Sequence, residues 1–145
     1  MKPLQREQFQ GAVLGLAIGD ALGSKWEGVP ADMIFDTGPA DQIVKHASDE
    51  TICYTDDTQM MISIFQTLIA CDGIDKHFLA NKFAENYHPD RGYGQGARQI
   101  INAIGFGEDW ELLAATIFDG QGSLGNGAAM RVSNSSSCYW TGRRY

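Results

Sequence analysis

The 145-residue chain is long enough for one domain with a buried core, and 43% hydrophobic with 20% charged residues is a globular composition. Its formal net charge of −7 argues against a nucleic-acid-binding surface, because such a surface needs a basic patch. A small phosphate-containing ligand remains compatible if a cation or backbone N–H groups neutralise it. No apolar run approaches the roughly 20 residues of a membrane span, so we expect no membrane partner.

The three cysteines predict a reducing environment. Cys53, Cys71 and Cys138 form no CxxC pair and cannot all pair within one chain. Free thiols are therefore the simpler interpretation, and they favour a cytoplasmic location.

The first predicted helix runs from Gln5 to Gly23. Its glycines recur every four residues, at Gly11, Gly15, Gly19 and Gly23. Each costs about 1 kcal/mol relative to alanine, so their alignment predicts a groove for a closely packed helix. The same region has the outline of a secretory signal, since Lys2 and Arg6 precede an apolar run. The helix explains these residues better, because Glu7 and the glutamines dilute the basic segment.

Apolar periodicity predicts four further helices. The clearest begins after Thr58, follows the i, i+3, i+4, i+7, i+8 pattern and ends at Asp72 and Gly73. The other three are predicted at residues 75–87, 96–104 and 110–118, with another helix start near Ala128 after the glycine-rich stretch 120–127. No segment alternates as a strand does, so the sequence predicts an all-α fold.

The segment Thr55-Asp56-Asp57-Thr58 places two adjacent carboxylates between two hydroxyls where a helix begins. Hard divalent cations such as Mg²⁺ take oxygen ligands of this kind. Helix capping explains the same residue types, because Thr and Asp accept N–H groups in a first turn and complement the helix dipole. The residues alone leave both interpretations open.

Two more carboxylates precede this segment. Asp20 interrupts an apolar run and needs a partner or a wet cavity; we expect it on the exposed face, with a position behind a metal site as the alternative. Glu27 follows Trp26 in a predicted loop. A neighbouring aromatic would desolvate Glu27 and raise its pKa, which suits acid–base chemistry, whereas a solvated surface glutamate is the alternative.

The residues Gly120–Gly125 match the dinucleotide pattern GxGxxG. No βαβ unit frames them and no acidic residue follows Asp119 to bind a ribose hydroxyl, so a Rossmann-type dinucleotide binder is improbable. The same glycines can cradle a diphosphate with backbone N–H groups, or form an ordinary loop. Arg91 and Arg131 are candidates for phosphate contact, although isolated arginines are expected to be solvated.

Together these segments resemble the ADP-ribosylglycohydrolases, which include the ADP-ribosyl-acceptor hydrolases and the dinitrogenase-reductase-activating glycohydrolases. GAVLGLAIGDALGSKWEG is similar to the opening helix and glutamate loop of that family, and YTDDTQM is similar to its first metal motif. HPDRGYGQG and GQGSLGNGAAMRV are similar to its two glycine-rich ligand loops. The four motifs stand in the family's order over residues 11–132.

The resemblance implies an all-α orthogonal helical bundle with two Mg²⁺ or Mn²⁺ ions in a central cleft. It implies a hydrolase that removes ADP-ribose from modified proteins or related conjugates by cleavage at the anomeric carbon of the ribose. By the same resemblance Thr55, Asp56 and Asp57 are metal ligands, and Glu27 and Asp56 are the catalytic carboxylates. The ADP-ribose contacts implied are Gly92, Phe118, Gly122, Ser123, Leu124, Gly125 and Asn126.

The resemblance covers residues 1–132, and residues 133–145 depart from it. The family closes its metal site with a second acidic motif, Asp-x-Asp-Thr, which this chain lacks. We therefore expect an incomplete bundle, half a binuclear site and impaired hydrolysis by this chain. The alternative is a non-catalytic ADP-ribose-binding or regulatory fragment.

Overall fold

The computed structural model describes residues 6–35, 51–123 and 125–131. These parts contain helices and turns and no β-strand, which confirms the all-α prediction. The GxGxxG pattern therefore does not follow a β-strand in these parts, as it does in a Rossmann fold. The helices are α1 (Arg6–Gly23), α2 (Ala31–Phe35), α3 (Asp56–Cys71), α4 (Lys76–Glu85), α5 (Gln95–Gly105) and α6 (Trp110–Thr116). Short 3₁₀ turns cover Ser24–Trp26, Pro89–Arg91, Ile117–Gly120 and Asn126–Ala128.

Helix α3 lies at the centre of the described fold. It packs against α1 and α4, and the chain continues as α4 against α5 and α5 against α6. Its apolar face buries Met61 and Ile64, as the periodicity predicts, together with Met60, whereas Ile69 at the end of the predicted pattern is 82% exposed. Met60 joins Tyr93 and Ile101 in a core cluster, so the start of α3 is held between α1 and the later helices.

Local capping explains where the helices begin. Thr55 caps α3, Asp75 caps α4 by accepting from Phe78 N–H at 2.7 Å, and Asp109 caps α6 by accepting from Leu112 N–H at 3.0 Å. Asp72 adopts a left-handed φ of +53° directly after α3, where the sequence predicts the end of the helix.

Some helix predictions were wrong at their ends. Helix α6 ends at Thr116 rather than Phe118, because Phe118 and Asp119 adopt left-handed backbone angles. The helix start expected near Ala128 is a single 3₁₀ turn, and the short helix α2 was missed altogether. Leu124 and residues 133–145 lie outside the described residues.

The glycine ridge of α1 is uncovered in the described fold. A Cβ at Gly11, Gly15, Gly19 or Gly23 would meet nothing within 4 Å, and Leu14 and Ile18 are 59% and 55% exposed. The predicted close packing on this ridge is therefore not found among residues 6–35, 51–123 and 125–131. Within the same ranges no helix is long and apolar enough to cross a membrane, and Cys53 and Cys71 are free, exposed thiols.

Candidate active site

Asp20 connects α1 to the first turn of α3. Its carboxylate accepts the backbone N–H groups of Thr55 at 2.9 Å and Thr58 at 3.1 Å, and the hydroxyl groups of both residues as well. A first turn leaves such N–H groups without intrahelical partners, so Asp20 completes the cap of α3 from another helix. The expectation of an exposed Asp20 was therefore wrong, because a half-buried carboxylate with these donors lies behind the acidic motif.

Thr55 is the N-cap residue of α3. It is 8% exposed, and its hydroxyl oxygen accepts the N–H of Asp57 at 3.4 Å while donating its proton to Asp20. The capping interpretation of the motif therefore holds for Thr55. Because Thr55 and Asp20 carry the cap, the side chains of Asp56 and Asp57 are available for another role.

The carboxylates at this end of α3 raise one another's pKa. Partial burial is the main cause that raises the pKa of Asp57 to about 6, and Asp20, Asp56 and Glu27 raise it further. The pKa of Asp56 is raised as well, first by burial. Several negative charges thus share a partly desolvated space, which a bound cation would stabilise.

Glu27 lies directly after the turn Ser24–Trp26. Its side chain is exposed, as in the surface alternative, and its pKa is raised, first by partial burial and then by Asp56 and Asp20. The loop at Gly92 brings Glu27 and Asp56 together, since a Cβ there would lie 3.8 Å from Oδ1 of Asp56 and 4.0 Å from Oε2 of Glu27. Gly92 therefore gives both carboxylates a common open space.

The donor chemistry of this acid cluster, which we define as Asp20, Glu27, Thr55, Asp56 and Asp57, fits a hard divalent cation because all of its side-chain donors are oxygens. The arrangement of these side chains fits such a cation only in part. Among the residues that the structure describes, no three His, Cys, Asp or Glu side chains are arranged to hold one ion. The described residues thus offer part of a ligand set.

A cleft of about 1050 Å³ extends from Asp56, the one residue of the acid cluster in its wall, to the glycine-rich loop. It is lined by residues of α3, α4, α5 and α6 and by the chain around the last 3₁₀ turn. Of the residues assigned from the sequence, the cleft brings together Asp56, Phe118, Ser123, Gly125 and Asn126. A cleft of this size accommodates a nucleotide-sized ligand.

The remaining assigned residues do not line this cleft. Gly92 and Glu27 lie at the acid cluster, beside Asp56. Gly122 lies next to the cleft-lining Ser123 but is not part of the wall, and it has a φ of +77°. Leu124 lies outside the described residues.

The loop after α6 has an unusual backbone. Phe118 and Asp119 have φ angles of +55° and +56°, which residues other than glycine rarely adopt. The ring of Phe118 lies against Gly96 in the first turn of α5, where an added Cβ would be 2.9 Å from Cε2. Sequence reasoning missed Gly96, and a glycine in a helical first turn was the one available indication of this contact.

The two candidate arginines are not simply solvated, so that expectation was wrong. Arg91 donates to the carbonyl of Tyr54 at 2.8 Å and lies 3.8 Å above its ring, which fixes the residue before the acidic motif. Arg131 lines the cleft and donates to the carbonyl of Gly127. Burial lowers the pKa of Arg131, while Asp56 acts in the opposite direction.

Comparison with known proteins identifies the family of this chain. The family model for ADP-ribosylglycohydrolases matches residues 1–138. The ADP-ribosylhydrolase ARH3 of Xenopus tropicalis is 37% identical over 139 residues, and that of Homo sapiens is 32% identical over 149 residues. Each alignment covers 91% of this chain and 39% of the relative, so the chain spans about two fifths of the length of these relatives. This chain belongs to the ADP-ribosylglycohydrolase family.

Proposed function

We propose that this chain supplies the first metal ligands and the ADP-ribose-binding loops of a hydrolase that removes ADP-ribose from modified proteins or related conjugates. Family membership and relatives named ADP-ribosylhydrolases support an enzyme over a purely binding fragment. The observation that carries the proposal is the shared cleft. Asp56 lines the same cavity as Ser123 and Asn126, so an acidic centre and a glycine-rich loop face one ligand-sized space.

The proposed cofactor is Mg²⁺ or Mn²⁺, with two ions in the complete family site and Thr55, Asp56 and Asp57 among the ligands. Oxygen donors and the raised pKa values of Asp56 and Asp57 support this assignment, because both indicate negative charge without full compensation. When bound, such ions orient the ribose hydroxyls and make water a better nucleophile.

The proposed reaction breaks the bond between the ribose anomeric carbon and the acceptor, and water adds to that carbon. Glu27 and Asp56 are the residues that would accept the proton of water or donate one to the leaving acceptor. The raised pKa of Glu27 suits that carboxylate for either task, because proton transfer is most efficient when the pKa approaches the working pH. A cation bound at Asp56 would lower the pKa of that carboxyl again, so the raised pKa of Asp56 supports only its role as a ligand. Gly92 keeps side chains out of the space that both carboxylates face.

The proposed ligand contacts lie at the other end of the cleft. Backbone groups of the segment 122–126 would bind the diphosphate, and Ser123 and Asn126 line the wall there. Phe118 would lie beside the adenine, where its ring is 45% exposed. Arg131 adds a positive charge to the wall between the two ends.

We also propose that the chain by itself turns over substrate slowly, because the described residues offer only part of a ligand set. The test is release of ADP-ribose from a modified protein by the purified chain with excess Mg²⁺ or Mn²⁺. We expect slow release that chelation abolishes and that Asp56→Asn abolishes too. Release that survives chelation contradicts the metal assignment, and turnover above about 1 s⁻¹ contradicts the partial ligand set.

A further inference from the structure

We infer that Asp20 is a positioning residue that accepts the hydrogen bond from the Thr55 hydroxyl, so that the hydroxyl oxygen presents a lone pair, and not its proton, to a cation. The inference deepens the proposed metal-dependent function and rests on it. It is carried by the hydrogen bonds between α1 and α3, which exist independently of any ion.

The hydroxyl of Thr55 has a nearly complete set of partners. A hydroxyl group has one proton to donate and two lone pairs to accept with. The Thr55 oxygen donates to Oδ1 of Asp20 at 2.6 Å and accepts the N–H of Asp57 at 3.4 Å. One lone pair remains, and a cation needs a lone pair rather than a proton.

The two oxygens of Asp20 have different tasks. Oδ2 accepts the backbone N–H of Thr55, the backbone N–H of Thr58 and the hydroxyl of Thr58. These donors fix the orientation of the carboxylate, because two of them are main-chain groups of a helix start. Oδ1 is consequently held against the Thr55 hydroxyl, so Oδ2 anchors α3 while Oδ1 sets the direction of the hydroxyl proton.

The variant Asp20→Asn reverses this polarity with little change of shape. Its carbonyl oxygen would take the place of Oδ2, where the backbone donors require an acceptor. Its NH₂ group would then face Thr55 as a donor, and the hydroxyl would have to accept from it and turn its proton elsewhere. We expect the affinity for Mn²⁺ to fall about 10- to 100-fold, the range found for residues that orient metal ligands.

The variant Thr58→Val is the matched control. It removes one hydrogen bond to Oδ2 of Asp20 and leaves both contacts of the Thr55 hydroxyl in place. Both variants weaken the junction of α1 with α3, but only Asp20→Asn changes the polarity at Thr55. The control is therefore expected to lose stability and to retain the Mn²⁺ affinity of the parent chain.

The experiment has a metal-free and a metal-bound measurement, both on the full chain. In mixed H₂O and D₂O, a hydroxyl whose proton exchanges slowly with solvent gives two resolved ¹³Cβ signals for Thr55, one for the O–H form and one for the O–D form. We expect the pair in the parent and in Thr58→Val, and one averaged signal in Asp20→Asn. Free Mn²⁺ is then counted by electron paramagnetic resonance, and we expect the affinity to fall in Asp20→Asn alone.

Any other outcome overturns either the inference about Asp20 or the proposed metal function. A single averaged signal in the parent overturns the inference whether or not metal binds. Equal loss of Mn²⁺ affinity in both variants reduces Asp20 to a structural link and also overturns it. A resolved pair without any Mn²⁺ uptake by the parent instead overturns the proposed metal function. If Asp20→Asn does not fold, Thr55→Ser must retain Mn²⁺ affinity and Thr55→Val must lose it for the inference to stand.

Discussion

The two ends of the cleft are built in opposite ways. At the acid cluster, the side chains of Asp20 and Thr55 are fixed by hydrogen bonds between helices, across 35 residues of sequence. In the described part of the glycine-rich loop, the hydrogen bonds are local, as between Ser123 and the N–H of Gly125 at 3.0 Å. The turn Ile117–Gly120, which leads into this loop, instead has backbone angles that are unusual for L-residues, at Phe118 and Asp119.

This difference corresponds to what each end would bind. Like-charged carboxylates repel one another until an ion arrives, so the fold must hold them in place with other contacts. A diphosphate can be bound by backbone N–H groups, so there the course of the main chain matters more than the side chains. We therefore expect side-chain changes to dominate at the acid cluster and backbone changes to dominate at the loop.

The largest effect is expected from Asp56→Asn and Asp57→Asn. A neutral amide is a poorer ligand for a hard cation, so each change should reduce Mn²⁺ affinity by more than the roughly 100-fold found for residues behind the ligands. The stability of α3 should change by about 1 kcal/mol at most, since Thr55 and Asp20 carry the cap. Isothermal calorimetry and urea unfolding measure both, and unchanged Mn²⁺ affinity in both variants would sink the ligand assignment.

Gly122→Val should give the next largest effect, on the loop end. The residue has a φ of +77°, so valine is strained there, and its side chain would occupy space beside the proposed diphosphate site. We expect ADP-ribose affinity to fall about tenfold or more, which is 1.4 kcal/mol.

Gly107→Val separates strain from ligand contact. Gly107 has a φ of +73° with open space around it and lies away from the cleft wall. Both variants should lose about 1–2 kcal/mol of unfolding free energy, but only Gly122→Val should lose ADP-ribose affinity. Equal affinity in the two variants, measured by calorimetry, would remove the loop from the proposed site.

Gly96→Ala tests the packing of the Phe118 ring against Gly96, and its expected effect on ADP-ribose affinity is smaller. The new methyl group would lie 2.9 Å from the Phe118 ring and displace it, so we expect ADP-ribose affinity to fall less than in Gly122→Val. Gly105→Ala is the control in the same helix, because nothing lies within 4 Å of its Cβ position. It should gain up to about 1 kcal/mol of unfolding free energy. The same gain and the same ligand affinity in both variants would show that Phe118 is not held by Gly96.

The smallest expected effect is a pH dependence at Asp57. Its pKa of about 6 in the folded chain exceeds the ordinary value of 3.8, so the folded chain binds this proton more tightly than the unfolded chain. Stability from this group is present below pH 3.8 and is lost as the pH rises to about 6. Metal-free Asp57→Asn should therefore gain stability relative to the parent across that interval. A difference that is constant with pH in thermal unfolding would contradict the raised pKa.

The sequence predicted the helix that carries the acidic motif because its apolar periodicity and its capping residues both indicate a helix that begins there. It did not predict the partner of Asp20, since the interaction joins positions 35 residues apart and no local pattern indicates it. The glycine pattern indicated a loop after α6, but residue types gave no indication that Phe118 and Asp119 adopt left-handed angles. Local propensity thus predicted elements, whereas contacts between elements decided the geometry of the site.

The central claim is that one cleft holds both a divalent ion at Asp56 and ADP-ribose along the glycine-rich loop. The most direct measurement is the broadening of ADP-ribose proton resonances by Mn²⁺ bound to the full chain. We predict strong broadening of the protons of the terminal ribose, whose anomeric carbon carries the acceptor in the substrate, weaker broadening at the adenine, and loss of both in Asp56→Asn. Broadening that is uniform over the ligand, or that persists in Asp56→Asn, would contradict the claim.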